Sequence, residues 1–540
     1  MTGWVNIEGL EGEAGLSFDV RQEGQTLAEA LAEHGLPLNT RCGGRGLCHG
    51  CDVELREGSV VSMTGEKWVL PATVRACQAG IAGDVTVHIP ARSRVDHRPS
   101  VSETFRIDIS CAHQPLFPSG ARDTAFAVDV GTTTVVVLLA DLTTGEILSR
   151  AGGFNEQIRF GDNVLTRIDL ARTRKGAREE MQAAIVRDTI VPLLARACER
   201  AGRRPERIAG GTIAGNTTML HLLTGADPSS LGVAPFIPLF IEGKRLFAGE
   251  LGFTPDALPA DAIIQLLPGI AAYVGADIVG GMYATGMAFD PFPSLLVDIG
   301  TNGEVVLQNE GKLYACATAA GPAFEGSGLC CGARARDGAV SGIRVGLEPF
   351  CVEAEVIGGG APRYATGICG SAYIDFLSQG RTSGLLTETG RFDAGAWARV
   401  PETYRAGEDG QRGLRIAGGQ HITEVDIALL LQAKAAIGAG IETLLENAGL
   451  TSSQVGRVYL AGGFGMHLDL GHAIAIGLLP GFAEANVRVV GNTALAGALI
   501  ALMDKNTLGE MEALRSQVHV LELNLQKGFE DKFVDHLMLP

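Results

Sequence analysis

The spacing of hydrophobic residues near the N-terminus predicts a small domain of strands and one helix. The stretches WVNIEGL, LSFDV, DVELREG and DVTVHIP have the apolar alternation and β-branched content of strands. Between them, TLAEALAEHGL repeats its apolar residues with helical spacing, and Thr26 stands where a helix N-cap is expected. Residues 1–94 are therefore predicted to form one α+β domain.

Further along the chain, an irregular segment is followed by alternating strands and helices. Residues 95–123, with HRPS and HQPLFPSGARD, have neither helical nor strand period and are predicted as a linker. Beyond it, AFAVDVGTTTVVVLLADLTTGEIL is matched about 170 residues later by SLLVDIGTNGEVVLQNEGKLYA. Each copy has an apolar strand, an Asp at its end, a Gly-Thr turn and a second strand. This repeated pattern predicts a duplicated α/β domain over residues 124–540.

Composition and charge limit which classes of partner and which cellular compartment are expected. At 540 residues the chain is too long for one hydrophobic core. The formal charge of −17 argues against nucleic acid and anionic membrane surfaces, which attract clustered Lys and Arg. The start lacks a basic and apolar leader, and no uncharged apolar run reaches the roughly 18 residues of a membrane helix. We therefore expect a cytoplasmic protein with no nucleic-acid or membrane partner.

Four of the eleven cysteines fall in the first domain, in a pattern typical of a metal site. Five residues separate Cys42 from Cys48, two separate Cys48 from Cys51, and Cys77 follows at a distance. A close triplet with one distant cysteine is how a 2Fe-2S cluster is held, whereas zinc ribbons usually offer two matched pairs. Four glycines keep the loop free of side chains near the sulfurs: Gly43, Gly44, Gly46 and Gly50. The four cysteines are predicted to bind one 2Fe-2S cluster, with a structural zinc site as the alternative.

The two hairpins carry residues suited to phosphate and magnesium. Asp129 and Asp298 end the first strand of each copy, where a carboxylate can hold Mg²⁺ through water, and they are our candidate catalytic residues. The turns that follow offer backbone N–H groups and hydroxyls to phosphate oxygens: Gly131, Thr132, Thr133, Thr134, Gly300, Thr301 and Asn302. One copy alone is more typical of an ordinary buried hairpin, but two copies favour a phosphate-binding site.

A third segment, VYLAGGFGMHLDLG, runs from an apolar strand into closely spaced glycines. Gly462, Gly463 and Phe464 are predicted to contact the nucleoside, because glycines let a ligand pack directly on the backbone. A glycine-rich turn is weak evidence by itself, and this one lacks the dinucleotide-binding fingerprint. Its place after the two hairpins gives it weight.

These motifs resemble two known folds. The cysteine segment resembles the 2Fe-2S ferredoxins of β-grasp fold, with five residues in the first gap where the plant type has four. The hairpins and the glycine turn resemble the acetate and sugar kinase, Hsp70 and actin superfamily, which implies an actin/Hsp70-type ATPase of two ribonuclease-H-like halves. In that resemblance, AYVGADIVGGMYATGM and GNTALAGALIALM correspond to the two connecting helices at the hinge.

The combination is similar to the ATP-dependent reductive activators of corrinoid proteins. The likeness extends to IAGNTTMLHLLTG, CATAAGPAFEGSGL and LLLQAKAAIGAGIETLL. It implies a 2Fe-2S cluster, ATP and Mg²⁺ as cofactors, and reduction of Co(II) to Co(I) in a corrinoid protein that serves a methyltransferase or O-demethylase system. It also implies an upstream donor, either a reductase or a flavodoxin- or ferredoxin-type protein, and leaves room for a homodimer. Long family members have a further middle domain, for which we find only the linker here.

Three other functions stay open at this stage. An activator ATPase of a radical dehydratase shares the superfamily, but it places one cluster between two subunits and has few cysteines per chain. A metabolite kinase with an accessory redox domain needs a carboxylate base beside a small-molecule pocket, which the sequence does not assign. The third is a nucleotide-binding redox sensor without catalytic activity.

Seven cysteines lie outside the predicted cluster site. Cys330 and Cys331 are adjacent, and we expect neighbouring thiols to be poorly directed towards one metal. Most of the seven are expected to be small buried residues: Cys111, Cys198, Cys316, Cys330, Cys331, Cys351 and Cys369.

Overall fold

The computed structural model describes most of the chain. The described residues are 3–8, 16–20, 25–36, 38, 46, 51–62, 67–70, 72–90, 93, 103–107, 111, 113–407 and 411–540. Cys42 and Cys48, with Gly43, Gly44 and Gly50, lie outside the described residues.

The N-terminal domain is a mixed sheet with one helix against it. Its strands are β1 (Gly3–Glu8), β2 (Leu16–Val20), β3 (Asp52–Ser62), β4 (Lys67–Val69), β5 (Ala72–Arg75) and β6 (Ala79–His88), and its helix is α1 (Leu27–Glu33). The strand order is β2-β1-β6-β3-β4, with β5 on β3, and the pair β1 and β6 is parallel. Thr26 caps α1 by accepting from the Glu29 amide, as its position predicts. The β-grasp prediction is confirmed.

The second domain begins with a six-stranded sheet. Its strands are β7 (Thr124–Val130), β8 (Thr134–Asp141), β9 (Ile147–Phe154), β10 (Ile208–Gly215), β11 (Lys244–Phe247) and β12 (Ile263–Leu266). Its helices are α2 (Val164–Thr173), α3 (Ala177–Ile185), α4 (Val191–Ala201), α5 (Thr217–Thr224), α6 (Ala248–Leu251) and α7 (Ala276–Thr285). The strand order is β11-β12-β10-β7-β8-β9.

A second six-stranded sheet and two small three-stranded sheets follow. The strands are β13 (Ser294–Ile299), β14 (Gly303–Asn309), β15 (Lys312–Thr318), β16 (Ala339–Leu347), β17 (Phe350–Val356), β18 (Gly367–Ile368), β19 (Arg405–Ala406), β20 (Gly413–Ala417), β21 (Gln420–Thr423), β22 (Arg457–Ala461), β23 (Val487–Gly491) and β24 (Val518–Val520). The helices are α8 (Gly370–Thr382), α9 (Ala394–Arg399), α10 (Glu424–Asn447), α11 (Leu470–Ala475), α12 (Thr493–Met503), α13 (Thr507–Arg515) and α14 (Phe529–Asp535). The large sheet has the order β23-β22-β13-β14-β15-β24.

The two large sheets share one topology. In the first, β7, β8 and β9 are antiparallel neighbours, and β10 and β12 continue from β7 in parallel. In the second, β13, β14 and β15 repeat the antiparallel meander, and β22 and β23 continue from β13 in parallel. Parallel neighbours end at the same edge of a sheet, which is where ligands bind in open α/β folds. The predicted duplication of a ribonuclease-H-like unit is confirmed.

Helices α7 and α12 pack against each other through glycine. A Cβ added at Gly497 would lie 2.3 Å from the Cα of Gly280, so the two backbones touch at this point. The Thr212 hydroxyl donates to the carbonyl of Ala498 at 2.7 Å, which fixes α12 against β10 of the first sheet. These are the helices that the superfamily resemblance assigned to the hinge, and the hinge motion itself stays a prediction.

The predicted linker lies against the ATPase where it is described. Phe105 forms a bridge with Gly491, and the Arg106 amide donates to the Val490 carbonyl at 2.9 Å. The Asn492 amide donates to the Thr104 carbonyl at 3.1 Å. The described linker residues form no helix or strand, in line with their irregular pattern, but they dock along the end of β23.

Helix α10 is the one described helix long and apolar enough to cross a membrane by length and composition. Its most apolar window has a mean hydropathy of 1.4, and 78% of that window is buried inside the protein. Lys434 lies in the middle of α10 and is 1% exposed, and its Nζ donates to the Met538 carbonyl at 2.7 Å. Burial lowers the pKa of Lys434 to about 8. These features are those of a core helix.

Candidate functional site: a cleft between the two sheets

A polar cleft of about 760 Å³, open to solvent at its mouth, lies where the two large sheets meet. Both predicted phosphate turns and the first two residues of the predicted nucleoside turn line it. The lining residues predicted from the sequence are Asp129, Gly131, Thr132, Thr133, Thr134, Asp298, Gly300, Thr301, Asn302, Gly462 and Gly463. Segments more than 300 residues apart therefore form one site.

The first turn is held rigidly from behind. The Gly131 amide donates to the Thr134 carbonyl at 2.9 Å, which closes the turn between β7 and β8. Asn216, the N-cap of α5, donates from its Nδ2 to the Thr132 hydroxyl at 2.9 Å. Arg167 donates from Nη2 to the Thr132 carbonyl at 2.6 Å. The backbone of this turn is fixed before any ligand arrives, which is the preorganisation that phosphate binding needs.

Arg167 is a fully buried cation directly below the phosphate turn. Its side chain is 0% exposed, and its Nε donates to the Gly161 carbonyl at 2.9 Å. Burial lowers the pKa of Arg167 to about 9. No sequence signal that we used points to this arginine.

The second turn meets the first across the cleft. The Gly300 amide donates to the Asn302 carbonyl at 2.9 Å, repeating the closure of the first turn. The hydroxyls of Thr133 and Thr301 are hydrogen-bonded at 2.9 Å, one from each half of the domain. Thr301 also donates to Glu325 at 3.4 Å. The described conformation is thus one in which the two phosphate turns are in contact.

Four buried carboxyl groups line the cleft: Asp129, Asp277, Asp298 and Glu304. Burial raises the pKa of Asp129 to about 7, and the neighbouring Asp277 adds to the effect. Burial raises the pKa of Asp298 to about 8, with Asp277 and Asp129 contributing repulsion. Burial also raises the pKa of Asp277 to about 6 and that of Glu304 well above its usual value. An all-oxygen set of this kind fits a hard divalent cation such as Mg²⁺.

The nucleoside turn is placed by a glycine that no other residue could replace. Gly462 has φ +92°, and a Cβ there would lie 2.3 Å from the Ile299 carbonyl oxygen and 2.9 Å from Asp298 Oδ1. The end of β22 can therefore approach the second phosphate turn only without a side chain. Phe464 does not line the cleft: its ring stacks on Phe324 with centroids 5.1 Å apart.

Several cleft residues were missed by the sequence analysis. They are Asn216, Asp277, Glu304, Glu325, Asn492, Thr493 and Ala494. Asn216 and Asn492 are helix N-caps directly after strands, a local signal that could have been used. The N-cap role alone accounts for an asparagine at each position. The second hydrogen bond of each side chain, to a cleft residue, depends on the fold and has no local signal. Asn492, for example, donates from Nδ2 to Asp129 Oδ2 at 2.9 Å across 363 positions of sequence.

Two of the four predicted cluster ligands are described, and they lie together. Cys51 is 0% exposed and Cys77 is 7% exposed, and both lie at the same end of the antiparallel β3 and β5 pair, where Asp52 is opposite Arg75. The pKa of Cys77 is lowered to about 6, first by hydrogen bonding with the Cys51 side chain and then by the Gly46 backbone. Arg75 donates to the Gly46 carbonyl, which ties the cysteine loop to β5. Two adjacent thiols, one favouring its thiolate, fit a cluster of iron and sulfide.

Three protein families match successive parts of the chain. Residues 10–82 match the 2Fe-2S iron-sulfur cluster binding domain. Residues 124–290 match the RACo middle region, and residues 293–540 match the C-terminal domain of RACo, the ASKHA domain.

Two relatives match the chain over nearly its whole length. The corrinoid activation enzyme RamQ of Eubacterium limosum is 29% identical, over 97% of this chain and 96% of the relative. A solved structure described as a reductive activator for corrinoid, iron-sulfur protein is also 29% identical, with a TM-score of 0.71 over 100% of this chain and 98% of that one. The chain is a homologue of the reductive activators of corrinoid proteins. A third relative is the [Co(II) methylated amine-specific corrinoid protein] reductase of Methanosarcina barkeri, 26% identical over 73% of this chain and 72% of the relative.

These matches identify the cofactors and correct one expectation. The cofactors are a 2Fe-2S cluster, ATP and Mg²⁺, as predicted. The expectation that the chain lacks a middle domain is wrong, because residues 124–290 match the middle region of the family. That region contains the sheet of β7 to β12, which we had assigned to the first half of the ATPase.

Proposed function

We propose that the protein is an ATP-dependent reductase that restores a corrinoid protein from Co(II) to Co(I) for a methyltransferase or O-demethylase system. The observation that carries this proposal is the joining, in one chain, of a ferredoxin domain to a carboxylate-lined cleft between two halves. Relatives of matching length, named for corrinoid activation, support it.

The proposal gives each site residue a role. Cys42, Cys48, Cys51 and Cys77 would hold the cluster, which supplies one electron when bound. Asp129 and Asp298 would hold Mg²⁺ from opposite halves, and phosphate oxygens would replace the hydrogen bond between Thr133 and Thr301. The remaining predicted contacts to ATP are Gly131, Thr132, Thr134, Gly300, Asn302, Gly462 and Gly463, with Phe464 supporting the turn from behind.

ATP is needed because the electron transfer is uphill. Plant-type 2Fe-2S centres have reduction potentials of about −400 mV. Each 100 mV by which the cobalt potential lies below that of the cluster costs roughly 2.3 kcal/mol for one electron. Nucleotide can help only if it binds two conformations of the protein unequally. The hydrogen bond between Thr133 and Thr301 joins the two phosphate turns. ATP bound between the turns would break this hydrogen bond, so the two conformations would differ in the separation of the turns.

The remaining partners are part of the same proposal. A reductase, or a flavodoxin- or ferredoxin-type protein, reduces the cluster from outside. The charge of −17 and the cysteine usage support a cytoplasmic location without nucleic acid or membrane. The homodimer stays a prediction, which sedimentation equilibrium of the cluster-loaded chain measures directly.

The test is reduction of a Co(II) corrinoid protein followed by the Co(I) absorption band. Reduced full-length protein with ATP should produce Co(I), and without ATP it should produce almost none. Cys77→Ser should hydrolyse ATP and fail to reduce cobalt. Full reduction without ATP would contradict the proposal, and phosphorylation of a sugar or carboxylic acid in parallel assays would favour a kinase.

A further inference from the structure

A second cluster of metal-binding side chains lies outside the cleft. Cys330 and Cys331 follow the short turn Pro322–Glu325, and His421 is in β21. One sulfur from each cysteine and one ring nitrogen of His421 all lie within 4.8 Å of one another. Asp426, in the first turn of α10, is 2% exposed; its carboxylate contacts Cys330 and also accepts from the Thr423 amide and hydroxyl.

The contacts in this cluster are short and involve four different side chains. Cys330 Sγ lies 2.8 Å from Asp426 Oδ2, and the Cys330 amide donates to Asp426 Oδ1 at 2.7 Å. Cys331 Sγ lies 3.7 Å from His421 Nδ1 and accepts from the His421 amide at 3.4 Å. The other contact of His421 Nδ1 is the Gly419 carbonyl at 3.2 Å.

The backbone explains why two neighbouring thiols face one point, contrary to the expectation from sequence. The Ile368 amide donates to the Cys331 carbonyl at 2.8 Å, and the Ala333 amide donates to the Ile368 carbonyl at 2.8 Å. Gly332 packs so closely that a Cβ there would lie 2.0 Å from the Gly326 carbonyl oxygen. The cysteine turn is thus fixed between β18 and the preceding turn, and both sulfurs are held on the side of β21 and α10.

We propose that Cys330, Cys331 and His421 form a binding site for one soft divalent cation of the zinc class. Two sulfurs and one imidazole nitrogen are ligands that Zn²⁺ accepts, and water or the Asp426 carboxylate completes the tetrahedron. Ligand atoms about 2.0 to 2.3 Å from a tetrahedral zinc are separated by about 3 to 4 Å, so the observed contacts need to change by little. Cys330 is exposed, which gives the cation an entry path without unfolding.

The site differs in chemistry and place from both cofactor sites of the proposed function. The cleft offers oxygen ligands to a hard cation, and the ferredoxin domain offers four thiols. The cation would tie the cysteine turn to β21 through His421. Arg334, three residues after Cys331, pairs with Glu325 of the cleft wall at 3.1 Å. The inference does not depend on corrinoid reduction, because its test reads metal content.

The experiment uses the full chain with its iron-sulfur cluster loaded and no nucleotide. The protein is equilibrated with one equivalent of Zn²⁺, desalted, and analysed for zinc, for iron and by X-ray absorption at the zinc edge. We expect about one zinc per chain with two sulfur and two nitrogen or oxygen neighbours. Cys331→Ser and His421→Gln should each weaken zinc binding by at least about 100-fold while iron content stays unchanged.

The matched control is Cys351→Ser, which removes another partly exposed thiol of the same domain and should keep the zinc. Zinc should also raise the melting temperature of the parent protein and of this control, but not of the two ligand variants. A shell of four sulfurs would place zinc in the ferredoxin domain, and a shell of oxygens alone would place it in the cleft. Either of these two shells would overturn the proposal. It would also be overturned if the parent protein retained no zinc, or if both ligand variants bound zinc as the parent does.

Discussion

At the scale of single residues, the cleft is dominated by carboxyl groups that repel one another. Asp129 and Asp298 come from equivalent positions in the two halves, at the ends of β7 and β13. Their raised pKa values, about 7 and about 8, have burial as their main cause, and the mutual repulsion adds to it. A divalent cation would remove that repulsion, so we expect the metal to stabilise the charged forms of these carboxyl groups.

Asp298→Asn should remove much of the Mg²⁺-dependent ATP hydrolysis, by on the order of 100-fold in kcat. The amide keeps the shape of the side chain and loses the charge that holds the cation. The measurement is phosphate release, together with the visible spectrum of the cluster, which should not change. Asp535→Asn, at an exposed carboxylate of α14, is the control and should hydrolyse ATP normally. Unchanged turnover in Asp298→Asn would mean that the phosphate site lies elsewhere.

The same carboxyl groups predict how stability depends on pH. Their usual pKa is 3.8, whereas the folded values are about 7 for Asp129, about 6 for Asp277 and about 8 for Asp298. Between about pH 4 and pH 8 the folded chain binds more protons than the unfolded chain, so these groups make the metal-free protein less stable as pH rises. Mg²⁺ needs the charged forms and should therefore stabilise more at high pH.

Melting temperatures measured with EDTA and with Mg²⁺ check this pH dependence. The increase caused by Mg²⁺ should be larger at about pH 8.5 than at about pH 6. In Asp298→Asn the difference between the two pH values should shrink. A Mg²⁺ effect that is equal at both pH values would show that these groups do not titrate as described.

At the scale of elements, α7 and α12 cross with their backbones in contact at Gly280 and Gly497. Gly497→Ala places a methyl group 2.3 Å from the Cα of Gly280 and should destabilise the domain by about 1 to 3 kcal/mol. Urea unfolding of the ATPase transition measures the change.

Gly509→Ala provides the matched control for that substitution. Gly509 lies in α13, and a Cβ there has nothing within 4 Å. The control should be neutral or should stabilise by about 0.4 to 1 kcal/mol, because alanine restricts the unfolded chain. Equal effects of the two substitutions would mean that the helices do not cross as closely as described.

The docked linker makes a second prediction at the same scale. A chain that begins at Glu103 keeps the contacts of Thr104 and Arg106 with the end of β23, and one that begins at His113 loses them. Because Asn492 lies beside these contacts and holds Asp129, the shorter chain should bind ATP more weakly, by roughly 10-fold. Calorimetric titration with ATP measures the affinity of each chain. Equal affinities would show that the linker does not influence ATP binding in the cleft.

At the scale of the whole molecule, we expect the ferredoxin to be required for reduction and its covalent attachment to speed the reduction. The chain that begins at Glu103 should hydrolyse ATP and bind the Co(II) partner without producing Co(I). Adding the isolated domain of residues 1–94 should restore reduction, but roughly 100-fold more slowly at micromolar concentrations, since the linker supplies a millimolar effective concentration. Stopped-flow records of the Co(I) band measure both rates. Equal rates with and without attachment would show that the linker is not a tether.

Local signals in the sequence were enough for the elements and for the two kinds of cofactor. Alternating apolar residues gave β1, β2, β7 and β13, a capping residue marked the start of α1, and the spacing of four cysteines indicated a 2Fe-2S cluster. The repeated Asp-Gly-Thr turns predicted two hairpin turns that line the same cleft. All of these patterns are set by neighbours within a few positions, where the geometry of one strand, helix or turn decides which residue types fit.

Only the tertiary structure decided which distant residues meet. Asn492 reaches Asp129 because β23 and β7 end at the same cleft, and nothing within a few positions of either residue specifies that. Cys330 and Cys331 converge on His421 because β18 holds their turn from behind, which overrides the tendency of adjacent side chains to diverge. The physical reason is the same in both cases: strand order and packing, rather than local spacing, fix the separation of side chains that are far apart along the chain.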